Sequence, residues 1–471
     1  MARTTSRKTE FECVECGWST PKWAGRCSRC GGWGSLAEPA SLHGASATTG
    51  GPGRLRLVSS QSGGPERIDA IDAAPVRPWT TGIGEFDRVL GGGIVPGSVI
   101  LLAGEPGVGK STLLLDVAAR AAREGRRVLY ATGEESAAQV KLRAERIGAL
   151  ADQLYLVATG DLGELLGHMD AVAPSLVFVD SVQTLSADEI EGVAGGVAHV
   201  RGVTGALVAQ AKARTTAVVL VGHVTKDGSV AGPRTLEHLV DVVCSFEGDA
   251  KGALRMLRAS KNRYGSADEV GCFELGETGL RQVVDPSGLF TQPGGMPVPG
   301  SVVGVTLEGR RPLAVEVQAL VGPSALPSPR RATSGVDSSR LAMVLAVLQR
   351  RAKMALATQD VYVSTVGGAR VVEPGLDLAI AVACASAHWD TPVDQGLAVI
   401  GEVGLGGEVR AVPGIARRVA EAARLGLARA IVPAGTSAAL GRDSGTAPIL
   451  KLVEVTDLAA ATASAVTASQ L

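Results

Sequence analysis

Aromatic side chains are scarce, at 3% of 471 residues, and net charge is nearly absent, with 46 Lys and Arg against 47 Asp and Glu. That balance excludes a globally basic surface for nucleic acid or membrane, so any basic site must be local. Long apolar runs are missing as well; none approaches the roughly 20 residues of a membrane-spanning helix. The stretch MARTTSRKTEFEC has no apolar core of the signal-peptide kind. The expectation is a cytoplasmic protein without a membrane partner. Cysteine is sparse, seven in all, yet four fall within the first thirty residues. In a reducing compartment such clustering points to metal before disulfides. What abounds is Gly, Ala and Val, the small and β-branched residues through which α/β layers pack.

Composition divides the chain into four parts: a Cys-rich head at 10–34, a linker at 35–75, an α/β segment at 76–285 and a second one at 286–471. The linker, rich in Gly, Ser, Ala and Pro, shows little periodic apolar pattern, so ordering it would cost entropy with little burial in return. From Ser98 onward, short apolar runs (SVILLAG, RVLYATG, SLVFVD, AVVLVGH) alternate with helical stretches such as KSTLLLDVAARAAREG. This alternation predicts a parallel sheet built from βαβ units. Beyond Pro286 follow strands like SVVGVTLEG and LAVEVQALV and the helices SSRLAMVLAVLQRRAK and LDLAIAVACASAH.

In the head, Cys13 and Cys16 form one C-x-x-C knuckle and Cys27 and Cys30 a second, ten residues further on. This spacing suits one tetrahedral zinc site with four cysteine ligands. Gly17 and Gly31 follow the knuckles, where a turn must aim N–H groups at thiolate sulfur. A fragment this small cannot bury enough surface to fold alone, so Zn2+ would supply its stability. Lys22, Arg26 and Arg29 with Trp18, Trp23 and Trp33 are either a patch for nucleic acid or protein, or packing around the metal.

GEPGVGKST, comprising Gly104, Glu105, Pro106, Gly107, Val108, Gly109, Lys110, Ser111 and Thr112, matches G-x-x-x-x-G-K-[ST] between a strand and a helix. The glycines let backbone N–H groups close on ATP phosphates at a helix N-terminus; Lys110 reaches the β- and γ-oxygens and the Ser111 hydroxyl ligates Mg2+. SLVFVD ends in Asp180, the expected second holder of Mg2+. Glu134 and Glu135 follow another strand at its carboxyl end, where α/β sheets place their ligands. Glu134 is favoured for orienting the attacking water, with helix capping from Ser136 as the rival role for both acids.

At this point the chain resembles known proteins. TTGIGEFDRVLGGGIVPGSVILLAGEPGVGKST is similar to the opening of RecA-type ATPases, and the acid after the strand following the P-loop helix matches their catalytic glutamate. With the four-cysteine head and the KNRYG motif, Lys261 to Gly265, the resemblance is to one family, the bacterial RadA (Sms) DNA-repair proteins, and covers nearly the whole chain. It implies a RecA-like P-loop core between a four-cysteine zinc finger and a Lon-protease-like α/β domain. It also implies a DNA-dependent ATPase of hexameric ring type, nucleoid-associated, promoting branch migration on single-stranded and branched DNA with the RecA recombinase. Lys261 and Arg263 alternate across Asn262, so a strand would present both on one face, with Gly265 permitting a sharp turn beyond; the resemblance makes them cationic fingers acting in a neighbouring subunit. Candidate DNA contacts are Arg201 in the loop after Asp180, and Lys226 and Arg234 in GHVTKDGSVAGPRTLEH, on glycine-bearing segments suited to reading phosphate by charge.

In the last segment, VVEPGLDLAIAVA aligns with the Lon nucleophile turn but places Leu376 at the serine position. The lysine region offers Ala416, Arg417 and Arg418, and an arginine cannot deprotonate to act as base. The expectation is a domain without protease activity. The alternatives from other classes are an ATP-dependent Lon-like protease and a KaiC-like signalling ATPase with a protein target.

Overall fold

The computed structural model describes residues 11–13, 19–20, 28–29, 36–37, 67–70, 77–223, 233–248, 254–291, 297–368, 371, 373–394, 396–443 and 450–467. The chain divides into two compact units, 1–55 and 56–471. In the first, β1 (Phe11–Cys13) pairs antiparallel with β2 (Ser19–Thr20) and β3 (Leu36–Ala37). Cys13 stands opposite Leu36, so strand pairing runs past residue 34 into the stretch read as linker. Cys16, Cys27 and Cys30 lie outside the described residues.

The second unit opens with helix α1 (Gly84–Leu90) and a nine-stranded sheet. Its strands are β4 (Val99–Gly104), β5 (Val128–Thr132), β6 (Leu154–Ala158), β7 (Leu176–Asp180), β8 (Ala217–His223), β9 (Val242–Gly248), β10 (Leu254–Asn262), β11 (Val270–Gly276) and β12 (Gly279–Gln282). They run in the order β12-β11-β10-β9-β4-β8-β7-β5-β6. From β9 to β6 every pairing is parallel, while β10, β11 and β12 add an antiparallel extension. Helices α2 (Lys110–Arg123) and α3 (Ala137–Arg146) join α1 in one core; α4 (Leu162–Val172), α5 (Val197–Arg214) and the short α6 (Pro233–Leu236) contribute to the other. With both faces covered, the central strands are apolar throughout: VILLAG in β4 is buried at every position.

A seven-stranded mixed sheet follows, ordered β15-β16-β14-β13-β17-β20-β21. It is built from β13 (Ser301–Glu308), β14 (Arg311–Pro323), β15 (Arg331–Ser334), β16 (Gln359–Thr365), β17 (Leu397–Val399), β20 (Arg429–Pro433) and β21 (Lys451–Val455), with a separate ribbon of β18 (Glu402–Val403) and β19 (Val409–Arg410). Helices α7 (Ser338–Arg351), α8 (Asp377–His388) and α11 (Leu458–Thr467) pack in one core, and α9 (Ile415–Arg424) and α10 (Thr436–Asp443) in a second. Helix α8 is apolar almost all round and is correspondingly buried from Asp377 to Ser386. Among the described residues no helix is long and apolar enough to cross a membrane.

Candidate nucleotide site

The phosphate-loop segment connects β4 to α2. Gly104 is required by close packing, since a Cβ there would meet the Phe246 carbonyl oxygen at 2.3 Å. Gly107 and Gly109 take φ of +78° and +108°, the left-handed region that a side chain disfavours. The backbone therefore curls over the N-terminus of α2, where unpaired N–H groups and the helix dipole favour an anion. Lys110 opens α2 with only 4% exposure, and its Nζ donates to the carbonyls of Gly104 at 2.8 Å and Glu105 at 2.9 Å. Burial lowers its pKa, opposed by the carboxylates of Asp180 and Glu134. Ser111 and Thr112 follow half-buried on the first turn, while Glu105, Pro106 and Gly107 are exposed and Val108 is buried.

Strand order brings the acids to the same end of the sheet. Asp180 ends β7, which lies between β8 and β5. It is 7% exposed and accepts a hydrogen bond from the Tyr130 hydroxyl at 2.8 Å. Tyr130 stacks on Phe178, and its own pKa is pushed well above the usual range by burial and by Asp180. The two consecutive acids after β5 part company. Glu134 Oε1 accepts from the Ser181 hydroxyl at 2.6 Å. Glu135 is gripped by Arg143 through two bonds of 2.6 Å. Capping falls to neither: Ser136 caps α3 through a reciprocal box with Gln139. Sequence reasoning missed Tyr130, Ser181 and Arg143. The polar tip of Tyr130 inside an apolar strand was the available signal, because a buried phenol seeks an acceptor. Hard oxygen donors from Asp180 and Ser111 suit Mg2+, and the loop's amides suit a polyphosphate.

KNRYG lies toward the opposite end of the strands. Lys261 pairs with Val243, which pairs with Leu101 on β4, and the Arg263 N–H donates to the Asp241 carbonyl. Asp241 in turn donates from its amide to the Val99 carbonyl, so Arg263 is level with the start of β4. Gly104 is five strand residues further, about 16 Å at ~3.3 Å per residue. Both cations face one corner. Lys261 Nζ donates to the carbonyls of Glu237 at 2.6 Å and Val240 at 2.9 Å; Arg263 meets Asp241 at 3.0 Å and stays 55% exposed. Burial pushes the Asp241 carboxyl up, but bonds from Lys212 and the Val99 amide and the Arg263 charge outweigh it and hold it below the usual range. Gly265 differs from expectation in part. It lies in a bend as expected, but without a left-handed φ, and what requires glycine there is close approach: a Cβ would meet Gly91 Cα at 2.8 Å.

Of the candidate DNA contacts, Arg201 differs from expectation: it is exposed on helix α5, four residues in from its start, rather than in a loop. Arg234 belongs to α6, its side chain outside the described residues, as is Lys226. In the C-terminal domain, Leu376 is fully buried beside α8. Arg418, 1% exposed, holds Glu373 through bonds of 2.6 and 2.7 Å and donates to the Val305 carbonyl at 2.7 Å. Asp377 is clasped by Arg340 with two bonds of 2.8 Å.

A glycine-rich loop between strand and helix, with a buried lysine at the helix start and an acid ending a neighbouring parallel strand, defines a RecA-like P-loop ATPase domain. Family profiles agree in outline: one described as an AAA domain matches 83–229, a rubredoxin metal binding domain matches 11–38, and subunit ChlI of Mg-chelatase matches 342–436. The chain is 54% identical over 436 residues to a DNA repair protein RadA of Mycolicibacterium smegmatis, covering 92% of this chain and 93% of that one. It is 44% identical over 431 residues to the RadA of Halalkalibacterium halodurans (91% and 93% covered) and 42% identical over 440 to that of Bacillus subtilis (92% and 93%). The chain belongs to the RadA family of DNA-repair proteins, with a metal-binding ribbon, a P-loop ATPase core and a Lon-protease-like α/β domain.

Proposed function

We propose that this ATPase assembles as a ring, hexameric by resemblance, and spends ATP on single-stranded and branched DNA during homologous recombination, promoting branch migration alongside RecA. The observation that carries the reading is the placement of Arg263 about 16 Å, and of Lys261 about 10 Å, along the sheet from their own phosphate loop. Hydrolysis spreads negative charge over the γ-phosphoryl oxygens, and a cation beyond Lys110 lowers that cost. From the far end of the sheet, Lys261 and Arg263 can supply it only to another copy, so the ATP site is completed in trans.

Within one subunit the loop amides and Lys110 bind the phosphates. Ser111 and Asp180 would hold Mg2+, which would offset negative charge on the bound polyphosphate. Tyr130 fixes the Asp180 carboxylate from behind. Glu134 orients the attacking water, a role supported by Arg143 monopolising Glu135. Arg201, Lys226 and Arg234 are the proposed phosphate contacts along DNA. The four cysteines hold Zn2+ in a head followed by a linker, ahead of the ATPase domain ending near 285. The last domain is proposed not to cleave peptides, since Leu376 offers no nucleophile and Arg418 is committed to Glu373. The expected compartment is the cytoplasm.

Glu134→Gln tests the site. Nucleotide binding should persist while kcat falls by about 10²-fold or more. Normal turnover in Glu134→Gln with loss in Glu135→Gln would transfer the role to Glu135.

A further inference from the structure

The loop that carries Arg263 is gripped from two sides. On one, Asn262 Nδ2 donates to the Val89 carbonyl at 3.2 Å and Gly265 packs on Gly91, both at the end of α1. On the other stands the tight turn between β13 and β14 of the C-terminal domain. The Arg310 amide donates to the Asp268 carbonyl at 2.8 Å. Gly309, at φ +58°, lies so close that a Cβ would come within 2.1 Å of that same oxygen. Arg310 also donates to the Ser266 hydroxyl and lies 3.6 Å from Glu269, and Glu308 pairs with Arg258 on β10. The two grips are joined, since Arg311 and Glu85 of α1 form a buried ion pair. Half-exposed ion pairs contribute little by themselves. The definite parts are the backbone bond and the glycine fit, which set position rather than stability.

We propose that the 308–311 turn is a positioning device for Lys261 and Arg263, through which the C-terminal domain governs hydrolysis at the neighbouring subunit's ATP site. The inference rests on the trans reading above and adds what aims the cations. A finger moved by about 1 Å loses on the order of 10²-fold in rate, so a turn that fixes the loop by backbone contact controls turnover without touching nucleotide. Arg310 and Gly309 are positioning residues, remote from their own phosphate loop.

The test uses full-length mixed assemblies. Subunits bearing Lys110→Ala, inactive at their own site, are co-assembled in excess with wild type, and turnover per wild-type site is read. Adding Gly309→Ala, which pushes the turn off the Asp268 carbonyl, or Arg310→Pro, which removes the amide that donates to it, to the inactive subunits should lower that turnover in the wild-type sites about tenfold or more, with the KM for ATP unchanged, because each wild-type site keeps its own binding groups. If Gly309→Ala subunits fail to assemble, Arg310→Pro carries the same expectation. Equal turnover with and without the turn substitutions overturns the proposal. Lys110→Ala, Arg263→Ala subunits separate the two claims. Suppression by these alone refutes the turn's role and leaves the trans site standing, whereas no suppression by either refutes both.

Discussion

Arg418→Ala should be among the more damaging single substitutions in the C-terminal domain. The guanidinium is 1% exposed and makes two bonds to Glu373, with further bonds to the carbonyls of Val305 and Pro413. Truncation strands a largely buried carboxylate whose remaining side-chain donor is Thr306, at 3.0 Å. Removing one member of a buried pair costs about 3–5 kcal/mol. At about 2–4 °C per kcal/mol for a domain of this size, Tm should drop by about 6–20 °C. The pH dependence has a definite sign. Burial pushes the Glu373 carboxyl up, but Arg418 outweighs it and holds the folded pKa below the usual value. In wild type this stabilisation is complete above the unfolded pKa of about 4.3 and is lost as pH falls through the folded one. In Arg418→Ala burial is opposed only by the Thr306 and Leu307 bonds, so the deficit should be largest near neutrality and shrink as Glu373 protonates at lower pH. Urea unfolding at several pH values measures it. A loss under about 1 kcal/mol at pH 7.5, or one independent of pH, would refute a buried pair at this position.

Tyr130→Phe removes one bond from the Asp180 carboxylate, and a buried bond to a charged group is worth about 1.5–3 kcal/mol. The nucleotide-free protein should lose about that much in urea unfolding; an unchanged midpoint would mean that Asp180 is satisfied otherwise. Cys27→Ser should release one Zn2+ per chain by metal analysis and unfold the head while sparing basal ATPase. Loss of ATP binding in that variant would contradict independent modules.

Much of this molecule is legible in its sequence because the governing interactions are local. Apolar runs flanked by turn residues mark β4, β5, β7 and β8, and the phosphate loop is contiguous between strand and helix. Where partners are distant, legibility ends. In the sequence Arg418 is only a base that cannot work, because its partner lies 45 residues upstream and leaves no trace in the pattern around it. Local pattern assigns Gly265 to a turn, whereas its need comes from Gly91, another glycine far off in the chain. In the antiparallel extension, β10 alternates between buried and half-buried positions and β12 has no buried residue, weaker signals than the unbroken apolar runs of the centre. Strand β3 contributes two residues, too few for any periodicity. The separation of Glu134 from Glu135 depends on Arg143, eight residues on from Glu135 and across a helix cap.

The central claim, an ATPase that works on DNA, is tested most directly by steady-state hydrolysis with and without single-stranded DNA across a salt series. DNA should raise the rate, with the stimulation fading as salt rises because phosphate contacts release counterions. The same rate with and without DNA at every salt concentration would contradict the claim.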